Sequence, residues 1–512
     1  MFRQPIIRFF SRILNRATIT VVLVLAQVVW LLWAFFSLTE GRVLATILLQ
    51  TLSVVMVLYL VRRDEPGGYK IMWIALIGAL PLLGGALYLL FGNKRPARWL
   101  RESMDEVSTC HRQEMAQPAG QLTGLDPSSR ALSRYLSQYG GCPAWRDTAS
   151  HYYPSGEAMY PQLLRDLEKA EKFIFLEFFI VKPGKMWDGV EQILRRKAAQ
   201  GLDVRLIYDD FGSLLTLPKD FVVQMERAHI RCIPFNPVMP LISLVMNHRD
   251  HRKLVVIDGT VAYTGGFNLA DEYINAKVRF GYWKDAALRI EGAAVWNCTV
   301  MFLNFWNAFR PCETDYTPFR PQPAPAEQPR TDGVVQPYGD SPLDEEPVAQ
   351  MVYLNLLAQA QDYIYFYTPY LAIGEELLEA MKAAAKRGVD VRVMVPGIPD
   401  KKLVYRLTRS YYVPLLQAGV RIYAYTPGFL HAKCCVSDDR VAVVGSINLD
   451  YRSLFLHFEC GVLLLGGSQV RALREDMLRT AAVSHCVQLS DCRTSVPGTL
   501  LDSVLRLLSP LM

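Results

Sequence analysis

The sequence predicts an α/β protein of two duplicated lobes, preceded by an apolar N-terminal region of transmembrane helices. Three observations carry this reading. The phrase His-x-Lys-x-x-x-x-Asp occurs twice, at His251, Lys253, Asp258 and at His431, Lys433, Asp438. Strand-helix-strand patterns precede each copy, and the first hundred residues contain three long stretches without a charged residue.

The repeat extends beyond the motif. Gly265 and Asn268 follow the first copy at the offsets at which Gly445 and Asn448 follow the second. Upstream of the first copy lie an apolar run, Phe173 to Ile180, a helical stretch ending near Arg196, and Gly201-Leu-Asp-Val-Arg205 leading into another apolar run. Upstream of the second lie Tyr363 to Tyr367, a helical Glu375 to Lys386, and Gly388-Val-Asp-Val-Arg392. The offset between copies drifts from 187 residues at the glycines (201 to 388) to 180 at the histidines (251 to 431), so insertions and deletions separate two parallel halves. Alternating strands and helices predict a sheet flanked by helices in each half. The expected division is 1–100 for the membrane region, 130–330 for the first lobe and 331–512 for the second.

Each motif falls on a β-hairpin. Lys253 to Ile257 and Thr260 to Tyr263 are β-prone runs around Asp258-Gly259, a strong two-residue turn signal, and Asp438-Asp439 is the second equivalent. Alternate residues of a strand share a face, so His251 and Lys253 point together, as do His431 and Lys433. An imidazole fixed beside an ammonium suits a phosphate, because the ring supplies a nucleophile or an acid and the ammonium meets the oxyanion. Asp258 and Asp438 complete the candidate catalytic set, although their place in turns points to a structural part.

The N-terminal fifth is a different material. Residues 18–38 and 43–61 are each long enough to cross about 30 Å of hydrocarbon as a helix. A third stretch, 71–92, contains Gly78, Pro81, Gly84 and Gly85. Several long stretches in succession, with Trp30, Trp33, Trp73 and Tyr88 among them, exclude a cleavable signal peptide. Residues 1–100 hold 11 Lys+Arg against 3 Asp+Glu, a balance of +8, whereas the whole chain stands at +6. The remaining 412 residues are therefore at −2, which disfavours a nucleic-acid groove; the basic collar suits anionic headgroups. Four arginines in the first 16 residues, with Arg62, Arg63 and Lys70, favour a cytoplasmic N-terminus and second loop. If the third stretch re-enters or lies along the interface, as its Pro and Gly content allows, the catalytic part is cytoplasmic; if it spans, that part is outside.

Ten cysteines show no Cys-x-x-Cys and no zinc spacing, and most are expected as reduced, buried small side chains. Residues 311–347 contain nine prolines and read as an extended linker or partly ordered surface loop at the junction of the lobes near residue 330. Pro237 to Met246, ahead of the first motif, and Leu500 to Leu511 at the C-terminus are apolar runs suited equally to core packing or lipid contact.

At these residues the chain resembles the phospholipase D superfamily, and specifically its bacterial cardiolipin synthases. The likeness covers the apolar N-terminus, Gly265-Gly-Phe-Asn-Leu-Ala-Asp-Glu-Tyr273, Thr368-Pro-Tyr370 and Gly445-Ser-Ile-Asn-Leu-Asp-Tyr-Arg-Ser453. One departure stands at Leu456-His-Phe-Glu459, where the family's second half usually reads Leu-Asn-Phe-Glu.

The resemblance implies two phospholipase D-like lobes packed around one shared active site. One histidine attacks phosphorus to form a phosphohistidine; the other protonates the leaving alcohol and then deprotonates the incoming one. His251 is expected as the nucleophile and His431 as the acid/base. Lys253, Lys433, Asn268 and Asn448 are expected to hold the phosphate oxygens, and Asp285 and Glu459 to orient the imidazoles. No metal and no cofactor is implied. The implied reaction moves a phosphatidyl group from one phosphatidylglycerol to another, giving cardiolipin and glycerol, in a multi-pass protein of the bacterial plasma membrane. The alternatives are a membrane-bound phospholipase D that resolves the same intermediate with water, a membrane-tethered nucleic-acid phosphodiesterase, and a catalytically silent phospholipid-binding protein.

Overall fold

The structure, a computed structural model, describes residues 40–92, 98–237, 248–321, 332–344 and 346–511. The apolar stretch at 18–38, residues 238–246 of the run before the first motif, and 322–331 of the linker lie outside the described residues.

The first lobe contains β1 (Thr148–Tyr153), β2 (Phe173–Phe178), β3 (Asp203–Asp209), β4 (Ile230–Phe235), β5 (Arg249–Asp250), β6 (Lys253–Ile257), β7 (Val261–Gly265), β8 (Tyr282–Lys284) and β9 (Ala287–Gly292). Seven of these form a sheet in the order β1-β9-β7-β6-β2-β3-β4. The second lobe contains β10 (Val334–Asp340), β11 (Tyr363–Tyr367), β12 (Leu371–Ala372), β13 (Asp390–Pro396), β14 (Arg421–Tyr425), β15 (Gly428–Leu430), β16 (Cys434–Ser437), β17 (Val441–Gly445), β18 (Leu449–Asp450), β19 (His457–Leu465) and β20 (His485–Cys486). Its sheet runs β10-β19-β17-β16-β11-β13-β14-β20, the same path strand for strand with one strand added. In both lobes a parallel pair (β2 with β3, β11 with β13) joins an antiparallel hairpin that carries the motif. The duplication read from the sequence is therefore a duplication of topology.

Helices cover both faces of each sheet, which is why the central strands β2, β6 and β11 are buried at every residue and read as apolar runs rather than alternations. The helices Gly156–Glu168 and Lys185–Ala199 pack outside the first sheet, and Val348–Gln359 and Glu375–Lys386 outside the second. Between the sheets lies a shared core crossed by the helix Val295–Phe309. Phe302 stacks on Phe175 of β2 at 4.6 Å, and Phe305 meets Phe458 of β19 at 5.0 Å.

The lobes also exchange strands. β5, just before His251, pairs in parallel with β19 of the other lobe, and β15, just before His431, pairs in parallel with β8. Both motif turns have positive φ at their two central residues: 52° and 67° at Asp258 and Gly259, 53° and 53° at Asp438 and Asp439. This is the backbone that tight hairpins require.

Two segments that the sequence left open take definite form. Part of the presumed linker, Val334–Asp340, is the edge strand β10, paired along its length with β19. Its Pro337 is tolerated because an edge strand has a free side where no N–H is needed. The third apolar stretch, whose Pro and Gly content left open whether it spans, does not form one helix. It divides into α2 (Gly67–Ala79), α3 (Pro81–Leu87) and a π turn at Tyr88–Gly92, following α1 (Glu40–Arg62). Proline at 81 stops α2, and Gly84 lies so close to the Leu76 carbonyl that a Cβ would stand 2.5 Å from it. Thirteen residues of α2 reach about 20 Å, short of a hydrocarbon core. Among the described residues no helix is long and apolar enough to cross a membrane.

Candidate active site

The strand exchange builds the site. β5 brings the backbone N–H of His251 to the Phe458 carbonyl at 2.9 Å, and the His431 N–H donates to the Lys284 carbonyl at 2.7 Å. Each histidine is thereby held against the carboxylate of the opposite lobe. His251 Nδ1 lies 2.8 and 3.0 Å from the two oxygens of Glu459, and His431 Nδ1 lies 2.8 Å from Asp285 Oδ2. With Nδ1 so engaged, each ring keeps Nε2 for chemistry. Both histidines are 8 % exposed, and both carboxylates are fully buried.

The histidines stand just ahead of the hairpin strands rather than on them, Lys253 opening β6 and Lys433 directly preceding β16, and each ammonium donates to the carbonyl of its own histidine, His251 or His431. Neither lysine has a carboxylate within ion-pair distance among the described residues, so their charge is available to a bound anion. Burial lowers Lys253 to about 8 and Lys433 to about 7. Burial, reinforced by the Lys253 ammonium, holds His251 well below its usual range. His431 is held at about 4, by burial and then Lys433, against the pull of Asp285.

The two carboxylates differ. Burial pushes Asp285 up, but His431, Lys433 and the Ala286 N–H at 2.8 Å outweigh it, and its carboxyl sits below the usual range. At Glu459 burial prevails over Lys253 and over hydroxyl donors from Ser446 and Ser453, and its carboxyl sits well above that range.

Asn268 and Asn448 flank the site and are buried. Asn268 Oδ1 accepts from the Ile180 N–H at 3.0 Å, and its Nδ2 donates to the Tyr273 hydroxyl at 2.7 Å. Asn448 leaves its Oδ1 without a hydrogen bond among the described residues.

Asp258 and Asp438 do not belong with the histidines. Strand β6 carries Asp258 roughly 17 Å along the sheet from Lys253. There its carboxylate accepts the N–H groups of Glu171, Lys172 and Phe173, each at 2.8 Å. Asp438 binds those of Gln361, Asp362 and Tyr363 at 2.8–2.9 Å. Both aspartates pin a hairpin turn to the entry of the neighbouring strand, a structural part.

Sequence reading missed Ser446 and Ser453, although both lie inside the quoted tail after the second motif. It also missed the aromatic walls. Phe179 meets His251 at 5.2 Å, and Tyr273 and Trp283 each meet His431 at 5.3 Å. His457, the departure from the family pattern, stands 5.6 Å from the His251 ring. His251, His457 and Glu459 have ligand atoms within 4.8 Å of one another, a spacing that a metal ion accepts. The chemistry does not fit one: Glu459 is already bound by His251 and two serines, and Lys253, Arg249 and Arg452 crowd the group with positive charge.

A family model described as "Cardiolipin synthase, PLD-like domain" matches residues 163–279 and 353–480, and one described as "Phospholipase_D-nuclease N-terminal" matches 51–93. The chain is 32 % identical over 506 residues to a cardiolipin synthase of Geobacillus sp. (strain WCH70), covering 97 % of this chain and 100 % of that one. It is 40 % identical over 461 residues to an uncharacterized protein of Streptococcus mutans serotype c, covering 89 % and 99 %. The crystal structure of phosphatidylserine synthase from Haemophilus influenzae Rd KW20 superposes with a TM-score of 0.54 at 15 % identity, over 74 % of this chain and 98 % of that one, a likeness of fold. Two matched lobes, two complete motifs and full-length relatives converge: the chain belongs to the bacterial cardiolipin synthase family of the phospholipase D superfamily.

Proposed function

We propose that the protein joins two phosphatidylglycerol molecules into cardiolipin and glycerol through a phosphohistidine. The observation that carries this is the pair of cross-lobe dyads, His251 with Glu459 and His431 with Asp285, each leaving one ring nitrogen for a single phosphodiester. His251 Nε2 attacks phosphorus, the bond to the leaving glycerol oxygen breaks, and His431 supplies the proton that the glycerol takes. The same His431 ring then accepts the proton of the second lipid's hydroxyl as that oxygen displaces the histidine.

The unequal carboxylates support this division of labour. Asp285, ionised, stabilises the imidazolium form of His431 that an acid needs. His251, held well below its usual range by burial and then by Lys253, rests neutral, as a nucleophile must. A phosphodiester anion between the rings raises His431 from its resting value. Lys253, Lys433 and the two asparagines supply the polar groups around its oxygens.

The substrate is a bilayer lipid, and the N-terminal region suits attachment to the cytoplasmic face of the cell membrane. Leu44, Leu48, Leu52, Val55 and Leu58 of α1 are all more than half exposed, which no aqueous surface favours for a whole helix.

The test is product analysis after incubating the detergent-purified protein with phosphatidylglycerol alone. Cardiolipin and glycerol in equal amounts are expected. Phosphatidic acid with glycerol would make water the acceptor, and neither product would make the site silent.

A further inference from the structure

The C-terminal helix Val496–Leu508 is mounted the wrong way round for an aqueous surface. Val496, Leu500, Val504 and Leu508 recur every four residues and so form one stripe along it, and they are 85 %, 69 %, 44 % and 36 % exposed. Its two charged side chains reach the protein instead. Asp502 binds Arg406 at 2.6 Å, and Arg506 reaches Glu375 at 3.5 Å and lies over the Tyr411 ring. Leu505 is the helix's buried residue. A surface helix in water puts its leucines inward, where each is worth about 1.5–3 kcal/mol, and its ions outward. Here the ions clamp the helix and the stripe from Val496 to Leu508 faces away.

Two neighbours identify what covers the stripe. Leu507 packs into the cluster of Leu60, Tyr69, Trp73 and Tyr88, so the helix is continuous with the N-terminal apolar region, whose α1 side chains are exposed in the same manner. The helix Lys402–Ser410, which Arg406 ties to the C-terminal helix, presents exposed Lys402 and Leu403 and follows exposed Lys401. Apolar side chains beside lysines match the boundary between acyl chains and anionic headgroups.

We propose that Val496–Leu508 is an interfacial helix that lies in the headgroup layer of an anionic bilayer, with its Val496–Leu508 stripe among the acyl chains. It fixes the second lobe to the membrane independently of α1. It also bears on the site. α2, which shares its packing, presses Gly68 onto Tyr451, where a Cβ would stand 2.2 Å from the hydroxyl, and Tyr451 opens the short helix that ends just before His457 and Glu459. The inference rests on the membrane reading of the N-terminal region.

The test places a fluorescent amino acid at Leu500, at Leu48 of α1, or at Tyr139 as a control, each in the full-length protein in nanodiscs of phosphatidylglycerol brominated on its acyl chains. Quenching at Leu500 and Leu48 but not at Tyr139 is the expected result. Quenching at Leu48 alone overturns the interfacial helix and leaves the membrane reading intact, as it would if another segment of this chain covered the stripe. Quenching at neither overturns both. A second measurement uses the double variant Leu500→Glu, Val504→Glu. Its ratio of activity on phosphatidylglycerol vesicles to activity on soluble short-chain phosphatidylglycerol should fall about tenfold or more, and an unchanged ratio overturns the proposal. Because misfolding lowers both activities together, the ratio remains informative.

Discussion

The two halves of the site share a plan and differ around the carboxylates. Gly265, Asn268, Glu272 and Tyr273 in the first tail correspond to Gly445, Asn448, Arg452 and Ser453 in the second. Gly266 corresponds to Ser446. In the second lobe the two serines donate to Glu459. In the first lobe there is no room for such a donor: a Cβ on Gly266 would stand 2.0 Å from Asp285 Oδ1. A shorter carboxylate presses against a bare backbone on one side, and a longer one is cushioned by hydroxyls on the other. Duplication kept the histidine, lysine and asparagine of each half and varied the residues beside the two carboxylates, where the proton affinity of each imidazole is set.

The largest effects should come from the histidines, and they sharpen the comparison most. His251→Ala and His431→Ala should each lower turnover about 10⁴-fold. With a donor whose leaving group needs no proton, such as a nitrophenyl ester, His431→Ala should still form the covalent intermediate in a burst and His251→Ala should not. The reverse pattern would exchange their roles.

Next comes the contact that only one half has. Gly266→Ala should displace Asp285 and cut kcat about 100-fold. Ser446→Ala, which removes one donor to a buried carboxyl, should cost about 1–3 kcal/mol in denaturant unfolding and less in turnover. Equal activity losses from the two changes would mean that the dyads are not distinct.

The pH dependence should follow the lysines. With Lys433 at about 7 and Lys253 at about 8 in the free protein, their charge is lost as pH rises. Loss of the Lys253 charge alone should lower kcat/KM for phosphatidylglycerol about tenfold from pH 7 to 9, and loss of the Lys433 charge as well should deepen the fall to more than about a hundredfold. The same limb in kcat should lie higher, because bound phosphate favours the charged amines. A flat kcat/KM across that range would remove the lysines from phosphate binding.

The smallest effect on chemistry belongs to the motif's third residue. Asp258→Asn and Asp438→Asn weaken backbone hydrogen bonds at the hairpin turns and should cost about 1–2 kcal/mol of stability, read from chemical denaturation, with kcat unchanged. A fall in kcat without loss of stability would return these aspartates to the catalytic set.

Much of this was legible in the chain. Strand β11 and the helix Glu375–Lys386 stand where their apolar periodicity puts them, and the Asp-Gly and Asp-Asp turns take the positive φ that their residue types permit. These are local properties, set by side-chain alternation and turn chemistry within a few residues. Strand β10 was missed because proline masks an edge strand, and the sequence left open whether the third apolar stretch spans because the close approach at Gly84 is a tertiary contact.

By itself the sequence determined that there are two lobes, that each carries a histidine and a lysine two residues apart at the start of a hairpin, and which carboxylates are available. It did not determine which carboxylate serves which histidine. His251 and Glu459 are 208 residues apart and His431 and Asp285 are 146 apart, and both pairs cross between lobes. Only the exchange of β5 and β15 decides them, because a hydrogen bond of 2.8 Å depends on how two sheets dock rather than on any spacing along the chain.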